Sequence, residues 1–497
     1  QKRVANVVRA CTELSANPIL SIHDHGAGGH SNCLSELLES EGGYIEIDKL
    51  PIGDPTLSTM EILANESQER MGLVISPKDL PLLLQIAARE KAPIYVVGKI
   101  QGDKVIRFRS ASGAEPFCLP KDVLFAKAPR LEIKASNPVS PESNLDIICN
   151  SSDEFEELLC NVLSLEGVGC KDWLTNKVDR SVTGLVAMQQ TAGPLQLPLN
   201  GAGVVATDYT GTSGIAQSLG HASGAGLIDA REGAILSVVE SLTNIAGVPL
   251  AKGLNSVVLS ANWMWPAGTT EENGRLYAAV EALSDFCCEL GIPVPTGKDS
   301  LSMTMRYENG EVVKAPGTVV VTAAGTVSDV RKCVTANFKP VAKSELLLVE
   351  FGASSRNGLG GSAAAQALGV LKGPVPQCSD VMEVRRAFSF IQELLGKEQI
   401  LALSDVSQGG LITTLVEMAL AGNVGIEVSQ DTKNANWFFS EAPGVVIQVE
   451  AGAVADLLAL AATLNLRVQQ LGKVTSTEQF KYTYIYSGSS IEANADR

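Results

Sequence analysis

Apolar residues are spaced along this chain in two ways that predict strands and helices in alternation. Short apolar runs at residues 18–22 and 400–403 predict strands, and each run leads into an aspartate and a glycine-rich turn. Apolar residues three or four positions apart follow each turn and predict a helix. They are Leu34, Leu37 and Leu38 after the first turn, and Leu411, Leu415, Met418 and Ala419 after the second. Because further strands and helices interleave in the same way, the pattern predicts an α+β fold.

These two strand–turn–helix segments belong to an internal repeat. Residues 20–39 (LSIHDHGAGGHSNCLSELLE) align with residues 401–420 (LALSDVSQGGLITTLVEMAL). Two later segments match in the same order: residues 65–75 with 437–447, and residues 96–100 with 470–474. The acidic residues that the alignment pairs are Asp24 with Asp405, Glu36 with Glu417, and Glu69 with Glu441. Ordered matches at so long a spacing predict two copies of one domain rather than a solenoid.

The stretch between the two copies divides into a linker and a further domain. Residues 131–150 contain Pro, Ser and Asn and predict a linker. Residues 155–335 are rich in Val, Ala, Thr and Gly and predict a separate domain. Its predicted strands cover residues 203–207, 256–260 and 317–324, and its clearest predicted helices cover residues 229–246 and 272–290.

A glycine-rich loop at residues 357–362 (NGLGGS) precedes Asp405 in the second copy. The counterpart of this loop in the first copy would lie ahead of residue 1. We therefore expect the complete protein to be longer at its N-terminus, and we expect this chain alone to lack the activity of the complete protein.

The overall charge restricts the classes of partner. The 497 residues include 39 Lys and Arg against 55 Asp and Glu, which gives a net charge of −16. Such a chain repels a phosphate backbone, so we expect no nucleic-acid partner. No apolar run approaches the roughly 20 residues that span a bilayer, so we expect no membrane partner. The ten cysteines form no C-x-x-C pair, which is typical of reduced thiols and predicts a cytoplasmic protein.

Oxygen-bearing side chains suited to a divalent cation stand at three places. Glu240 and Asn244 are one helical turn apart, so they share a face and together offer hard oxygen ligands for Mg²⁺. Asp208 and Asp405 each follow an apolar strand, a position that suits a metal beside a nucleotide. Spacing alone leaves the alternatives open: Glu240 and Asn244 could form a solvated face, and Asp208 could simply initiate a turn.

Other candidate chemistry is weaker. The cluster of His23, Asp24, His25 and His30 suggests a transition-metal site, but no second cluster supports it. Residues 296–300 (TGKDS) lack the full phosphate-loop pattern. The chain contains neither a G-x-S-x-G turn nor a convincing Cys/His nucleophile pair.

Several segments together resemble one known family. They are SIHDHGAGGHSN, IGDPTLSTMEI, NESQER, LTNKVDRSVTGLVA, GPLQLPL, VESLTNIAG, SANWMWPAG, TGKDSLSM and LSDVSQGGL. In combination they are similar to the phosphoribosylformylglycinamidine synthases, which catalyse the glutamine-dependent fourth step of purine biosynthesis. The resemblance covers nearly the whole chain.

The resemblance implies tandem aminoimidazole ribonucleotide synthetase-like subdomains. Residues 1–130 would be the C-terminal subdomain of a first synthetase half, joined by the linker at 131–150 to the second half. Residues 151–335 and 340–490 would be the two subdomains of that second half. The first half's N-terminal subdomain and the family's glutaminase would be partners in the same full-length protein, because this chain has no G-x-C-N-G nucleophile turn.

The resemblance also implies site residues for ATP or ADP with Mg²⁺. The implied metal ligands are Asp208, Glu240, Asn244 and Asp405, and the implied ATP-binding residues are Thr207, Ser407 and Lys171. The residues implied to line the catalytic half, without individual roles, are Asp24, Gly26, Gly28, Gly29, Glu66, Gln68, Glu69 and Arg70.

The implied reaction converts formylglycinamide ribonucleotide, ATP and glutamine into formylglycinamidine ribonucleotide, ADP, phosphate and glutamate. Two alternatives stay open. One is another ATP-using member of the superfamily, such as aminoimidazole ribonucleotide synthetase or selenophosphate synthetase, although the internal repeat argues against a protein with one half per chain. The other is a non-catalytic scaffold that holds a nucleotide.

Overall fold

The computed structural model of the chain describes all residues except 130–131, 138–144, 150, 176–183, 355, 371, 379, 432–434, 476–478, 487–488 and 497. For residues 430–431, 479–486 and 489–496 only the backbone is described. Much of the predicted linker and of the segment LTNKVDRSVTG therefore lies outside the described residues. The chain divides into two compact units, Gln1–Glu132 (unit 1) and Ile133–Arg497 (unit 2). The finer domain boundaries stay predictions.

Unit 1 contains the first copy of the repeat. Its helices are α1 (Lys2–Thr12), α2 (Gly29–Leu38), α3 (Thr59–Ala64), α4 (Leu80–Arg89) and α5 (Lys121–Leu124). Its strands are β1 (Ile19–Asp24), β2 (Gly43–Glu46), β3 (Met71–Ile75), β4 (Gly98–Ile100), β5 (Val105–Arg109) and β6 (Phe117–Pro120). Strands β1 and β3 pair antiparallel, and the other four strands form a sheet in the order β4-β2-β5-β6.

Two small cores stabilise unit 1. One lies between α2 and the four-stranded sheet, where Cys33, Ile106 and Phe108 are fully buried. The other lies between α1 and α4, around Cys11 and Leu83. Burial of these apolar side chains is the main contribution to stability, at roughly 25 cal/mol for each Å² removed from water.

The first part of unit 2 contains a six-stranded sheet. Its helices are α6 (Ser152–Leu163), α7 (Asp172–Thr175), α8 (Ser223–Ile228), α9 (Ala230–Ile245) and α10 (Thr270–Leu290). Its strands are β7 (Val186–Met188), β8 (Ala202–Ala206), β9 (Gly214–His221), β10 (Val257–Met264), β11 (Thr296–Ser300), β12 (Thr304–Arg306), β13 (Val312–Lys314) and β14 (Thr318–Val327). The sheet runs β11-β10-β14-β9-β8-β7, and β12 and β13 form a separate hairpin. Strands β8, β10 and β14 occupy the three predicted strand segments, and α9 and α10 occupy the predicted helices.

The second part of unit 2 contains the second copy. Its helices are α11 (Ala363–Ala367), α12 (Val381–Gly396), α13 (Gly410–Gly422), α14 (Asn436–Phe439) and α15 (Val454–Thr463). Its strands are β15 (Ser344–Glu350), β16 (Ala402–Asp405), β17 (Gly425–Asp431), β18 (Gly444–Glu450), β19 (Val468–Thr475), β20 (Gln479–Tyr486) and β21 (Ser489–Asp496). They form one sheet in the order β16-β18-β15-β19-β17-β20-β21.

Strand β15 is buried on both faces. Leu347 and Val349 belong to a core that also contains residues of α9 and α12, whereas Leu346 and Leu348 belong to a core with α6 and α13. Because successive strand residues point to opposite faces, β15 must be apolar at consecutive positions. The first of these cores joins both parts of unit 2.

The sheets of the two copies have matching strand orders. The pair β1-β3 corresponds to β16-β18, and β4-β2-β5-β6 corresponds to β19-β17-β20-β21. In the second copy β15 joins the two groups by pairing with β18 and β19. Among the described residues of unit 1 no strand pairs with both β3 and β4. The predicted α+β fold and internal repeat are confirmed.

Among the residues that the structure describes, no helix is both long enough and apolar enough to cross a membrane.

Candidate functional site

Helix α9 carries Glu240 and Asn244 against the C-terminal end of β9. The Asp229 side chain caps the helix by accepting hydrogen bonds from the next N–H groups, as at many helix starts. Asn244 Nδ2 donates to the Leu219 carbonyl at 2.9 Å, and the Glu240 carboxylate accepts the His221 N–H. Both side chains therefore bind backbone groups of the sheet.

Asp405 ends β16 on the other side of this site. One of its carboxylate oxygens, Oδ2, is buried and has no hydrogen-bond partner among the described residues. Leu403, Ser404 and Asp405 line a small cavity together with Asn244 and Gly201. The structure thus brings Asn244 of the first part of unit 2 and Asp405 of the second part to one place.

The turn after β16 contains two glycines and leads directly into helix α13. Gly409 and Gly410 have φ values of +91° and +75°, and a Cβ at position 410 would lie 2.5 Å from the Phe439 carbonyl carbon. Only glycine can combine the positive φ with this close backbone contact without strain. Helix α13, which follows, is 13 residues long, so its first N–H groups and its dipole favour an anionic ligand such as a phosphate.

Glu441 links this turn to the start of a second helix, α11. Its Oε1 accepts hydrogen bonds from the Gly409 N–H at 2.9 Å and from the Ala363 N–H at 2.8 Å. Ala363 begins α11, directly after the glycine-rich loop. The carboxylate therefore holds the loop and the turn in a fixed relation.

Four carboxyl groups of this site have raised pKa values. Burial is the main cause for all four, and it raises the pKa of Asp405 to about 6 and those of Glu417 and Glu441 to about 7. The pKa of Glu240 lies well above its usual value, through burial and then through repulsion from Asp405 and Glu441. Asp405 also raises the pKa of Glu417, whereas Lys171 lowers it. Burial, together with repulsion from neighbouring acids at Glu240 and Glu417, therefore disfavours the charged forms of these carboxyl groups.

Glu240, Asn244 and Asp405 are of the right chemical type for Mg²⁺. They offer carboxylate and amide oxygens, and a cation would relieve the repulsion between Glu240 and Asp405. In the part of the chain that the structure describes, no other group binds Asp405 Oδ2. Among the described residues no three His, Cys, Asp or Glu side chains already form a metal-binding group. This arrangement fits an ion that takes one or two carboxylates and completes its shell with phosphate and water oxygens.

The implied roles of Asp208 and Thr207 require correction. Both residues lie in the turn between β8 and β9, where the Thr207 N–H donates to the Ser213 carbonyl. The Asp208 carboxylate accepts the N–H groups of Thr210 and Gly211 within the same turn. Because Ala206 pairs with Gly214 at one end of β9 and His221 ends the other, seven residue steps of about 3.3 Å separate this turn from Glu240. Asp208 is a turn residue here, and the structure does not bring it or Thr207 to the site.

Ser407 and Lys171 do lie near the site. Ser407 is in the turn after Asp405, where its carbonyl accepts the Gly410 N–H. Lys171 Nζ donates to the Gly169 carbonyl and is close enough to Glu417 to lower its pKa. Sequence reasoning missed Glu417 and Glu441 as site residues. The repeat had already paired them with Glu36 and Glu69, which was the available signal.

In unit 1 the structure brings the two implied lining segments together. A Cβ on Gly29 would overlap the Asn65 carbonyl, and the His25 N–H donates to the Arg70 carbonyl at 3.1 Å. Asp24 ends β1, and Gly26 and Gly28 lie in the turn that follows it. Glu66, Gln68 and Glu69 are exposed in the loop before β3. Glu69 has a φ of +65°, and such strained residues are concentrated at functional sites.

The histidines of unit 1 are bound to protein groups. His25 Nε2 lies 3.0 Å from His30 Nδ1, and Arg70 Nη1 lies 3.2 Å from His30 Nε2. Burial lowers the pKa of His30 to about 4, with His25 and Arg70 adding repulsion. His23 instead pairs with Glu36.

Models of two known families match this chain. The model of the AIR synthase related protein C-terminal domain matches residues 1–110 and 345–485, which is just over half of the chain. It therefore matches both copies of the repeat. The model of the FGAR-AT PurM_N-like domain matches residues 170–326 between them.

Curated relatives are similar over nearly the whole chain. The phosphoribosylformylglycinamidine synthase of Dictyostelium discoideum is 36% identical over 499 residues, and the probable synthase of Caenorhabditis elegans is 36% identical over 491 residues. Each alignment covers 95% of this chain but only 36% of the relative. The chain thus spans about a third of the length of these relatives.

Solved structures share the fold. The structure of T. maritima PurL complexed with ATP superposes with a TM-score of 0.58 at 21% identity, and covers 92% of this chain and 64% of that one. The same protein complexed with FGAR gives a TM-score of 0.59 and covers 62% of that chain. The model that matches both copies of the repeat places the chain in the AIR synthase related family, and the curated relatives it resembles are named phosphoribosylformylglycinamidine synthases.

Proposed function

We propose that unit 2 binds a magnesium–nucleotide complex between α9 and the turn at residues 405–410. The observation that carries the proposal is the cluster of Glu240, Asn244 and Asp405. Its side-chain oxygens suit a cation, Asp405 repels Glu240, and Asp405 Oδ2 has no hydrogen-bond partner among the described residues. The N-terminus of α13 beside them suits the phosphates. Ser407 and Lys171 are the nucleotide-binding residues that remain at this site.

The complete protein, we further propose, uses ATP to amidate formylglycinamide ribonucleotide with nitrogen from glutamine. Such a reaction activates the amide oxygen with a phosphoryl group, which ammonia then displaces. A bound Mg²⁺ would supply charge neutralisation at the phosphates. This chain's own residues would hold and orient the nucleotide. The glutaminase and the first N-terminal subdomain would be contributed by other parts of the full-length protein.

A scaffold role for the site in unit 2 is the second candidate. It is favoured by Glu441, which uses its carboxylate to join α11 and α13 rather than to face a substrate. An assay with ATP, ammonia and formylglycinamide ribonucleotide, with the first N-terminal subdomain supplied, separates the two candidates. Nucleotide retention without turnover would favour the scaffold, and turnover that depends on Asp405 would favour catalysis in unit 2.

We expect Asp405→Asn to weaken Mg–ADP binding at least tenfold. The nucleotide-free variant should nevertheless melt at the same or a higher temperature than the wild type, because a buried repulsive carboxylate has been removed. Equilibrium dialysis with ADP and thermal unfolding measure the two effects.

Two further variants sharpen this test. Asp208→Asn should bind Mg–ADP with wild-type affinity, since that side chain lies in the β8–β9 turn. Asp285→Asn, on the exposed side of α10, is the general control. Full affinity in Asp405→Asn would contradict the proposed site. Lost affinity in Asp208→Asn alone would restore Asp208 as a ligand.

A further inference from the structure

A second concave site lies in unit 2 on the segment that follows β14. One wall is formed by residues 329, 331–335 and 339, and the other by Leu395 of α12 and residues 398, 400 and 401, which precede β16. The cleft has a volume of about 620 Å³, which is within the range of sites that bind small molecules. It contains none of the acids of the nucleotide site, although Val334 lines both this cleft and the cavity beside Asp405.

Of the three basic side chains in the cleft, two form ion pairs with carboxylates of the described residues and the third does not. Arg331 binds Asp329 through two hydrogen bonds of 2.9 and 2.7 Å, and Lys332 pairs with Glu398 at 2.7 Å. For Lys339, no carboxylate lies within ion-pair distance in the described part of the chain. Its Nζ donates instead to Thr335 Oγ1 at 2.8 Å and to Asn337 Oδ1 at 2.9 Å. An ammonium group has three N–H donors, so one remains for a ligand.

Lys339 is held in place before any ligand arrives. Its backbone N–H donates to Gln448 Oε1 at 2.7 Å, and its carbonyl accepts from Gln448 Nε2 at 2.8 Å. Gln448 is itself fully buried. Burial of Lys339 lowers the pKa of its ammonium group, which is the direction expected for a charge that lacks a counter-ion. The hydrogen bonds of Gln448 to the Lys339 backbone, and those of Thr335 and Asn337 to its ammonium group, hold that group at the wall of the cleft.

The rest of the cleft includes apolar side chains. Val334, Leu395 and Leu401 contribute to its walls. With three basic and two acidic side chains, the lining has a net charge of one positive unit. This combination suits a ligand with a single negative charge and an apolar body.

We propose that this cleft binds a small organic monocarboxylate, with its carboxylate on Lys339 and its apolar body against Val334 and Leu401. The site goes beyond the proposed nucleotide function and does not depend on it. Benzoate is the probe, and benzyl alcohol is its uncharged counterpart of similar shape.

Titration calorimetry of the full chain provides the test. Benzoate should bind the wild type saturably, and Lys339→Met should weaken that binding at least tenfold while leaving the weaker binding of benzyl alcohol unchanged. Lys314→Met, on the exposed hairpin strand β13, is the matched control and should bind benzoate like the wild type. Equal binding by the wild type and Lys339→Met would overturn the proposal, as would the absence of saturable benzoate binding.

A measurement on the wild type covers the case in which Lys339→Met does not fold. Benzoate at saturation should slow acetylation of Lys339 by an N-hydroxysuccinimide ester at least fivefold, as followed by mass spectrometry, with Lys314 as the internal reference. Equal slowing of both lysines, or of neither, would overturn the assignment.

Discussion

Glu441 and Glu69 show how one position of the repeat acquires different roles in the two copies. Glu441 accepts two backbone N–H groups, and one of them comes from Ala363 behind the glycine-rich loop. Glu69 is exposed and has a left-handed backbone conformation. Both residues are glutamates. The backbone groups that surround each one in the fold therefore determine whether its carboxylate links two segments.

Glu232 provides a prediction at the scale of one residue. Burial raises its pKa to about 7, with Asp229 adding repulsion and the Cys378 N–H acting in the opposite direction. The folded state therefore binds the proton more tightly than the unfolded state does. This contribution to stability is complete below the usual glutamate pKa of about 4.3, and is lost as the pH rises through about 7.

We expect Glu232→Gln to reduce the fall in stability between these two pH values. Urea unfolding below and above the window measures the free energy of unfolding of both proteins. The slope of the unfolding free energy against pH should decrease without vanishing, because the buried acids near Asp405 titrate in the same direction. Glu308→Gln, on the exposed β12–β13 loop, should keep the wild-type slope. An unchanged slope in Glu232→Gln would show that its carboxyl group is not the source.

At the scale of elements, the close packing of α9 on β9 determines where Glu240 lies. Along β9 every second residue is buried, and Gly220 is one of these. A Cβ at Gly220 would overlap the Ser237 carbonyl oxygen and the Ser241 nitrogen, which are backbone atoms of α9. The helix can approach the strand only because this position has no side chain.

Gly220→Ala should therefore destabilise unit 2 by about 1–3 kcal/mol, the usual cost of overpacking a core. It should also weaken Mg–ADP binding, because α9 must move away from the strand. Gly203→Ala, in the neighbouring strand β8, is the matched control, since nothing lies within 4 Å of its added Cβ. Equal melting temperatures for the two variants would argue against the packing explanation.

At the scale of the whole molecule, unit 2 is built around a core that includes residues from both of its parts. Side chains of α9 and α10 share this core with those of α12 and β15. The proposed nucleotide site includes Asn244 and Asp405, one from each of these two parts. Ligand binding to the folded state alone should consequently stabilise unit 2 as one cooperative structure.

Tryptophan fluorescence tests this expectation for unit 2 alone. All four tryptophans lie in unit 2, at positions 173, 263, 265 and 437. Trp265 reports on the first part and Trp437 on the second. Mg–ADP at 100–1,000 times its Kd should raise the stability by about 3–4 kcal/mol and shift a single transition. Two fluorescence transitions, of which only one responds to Mg–ADP, would contradict cooperative unfolding of unit 2.

The sequence by itself determined the local features of this protein. The spacing of apolar residues predicted the strands and helices, because periodicity follows from the geometry of each element. Three pairs of matching segments in the same order predicted the repeat. It also placed Glu240 and Asn244 on one helical face, since residues four positions apart on a helix always lie on the same side.

Only the tertiary structure decided which distant residues meet. Asp208 follows a strand just as Asp405 does, yet antiparallel pairing of β8 with β9 places it at the far end from Glu240. The burial of Glu417 and Glu441, and the cleft around Lys339, likewise depend on contacts between segments far apart in the chain. A strand-end aspartate looks the same in sequence wherever the strand lies, because the neighbour of a strand end is chosen by sheet pairing and not by the residues beside it.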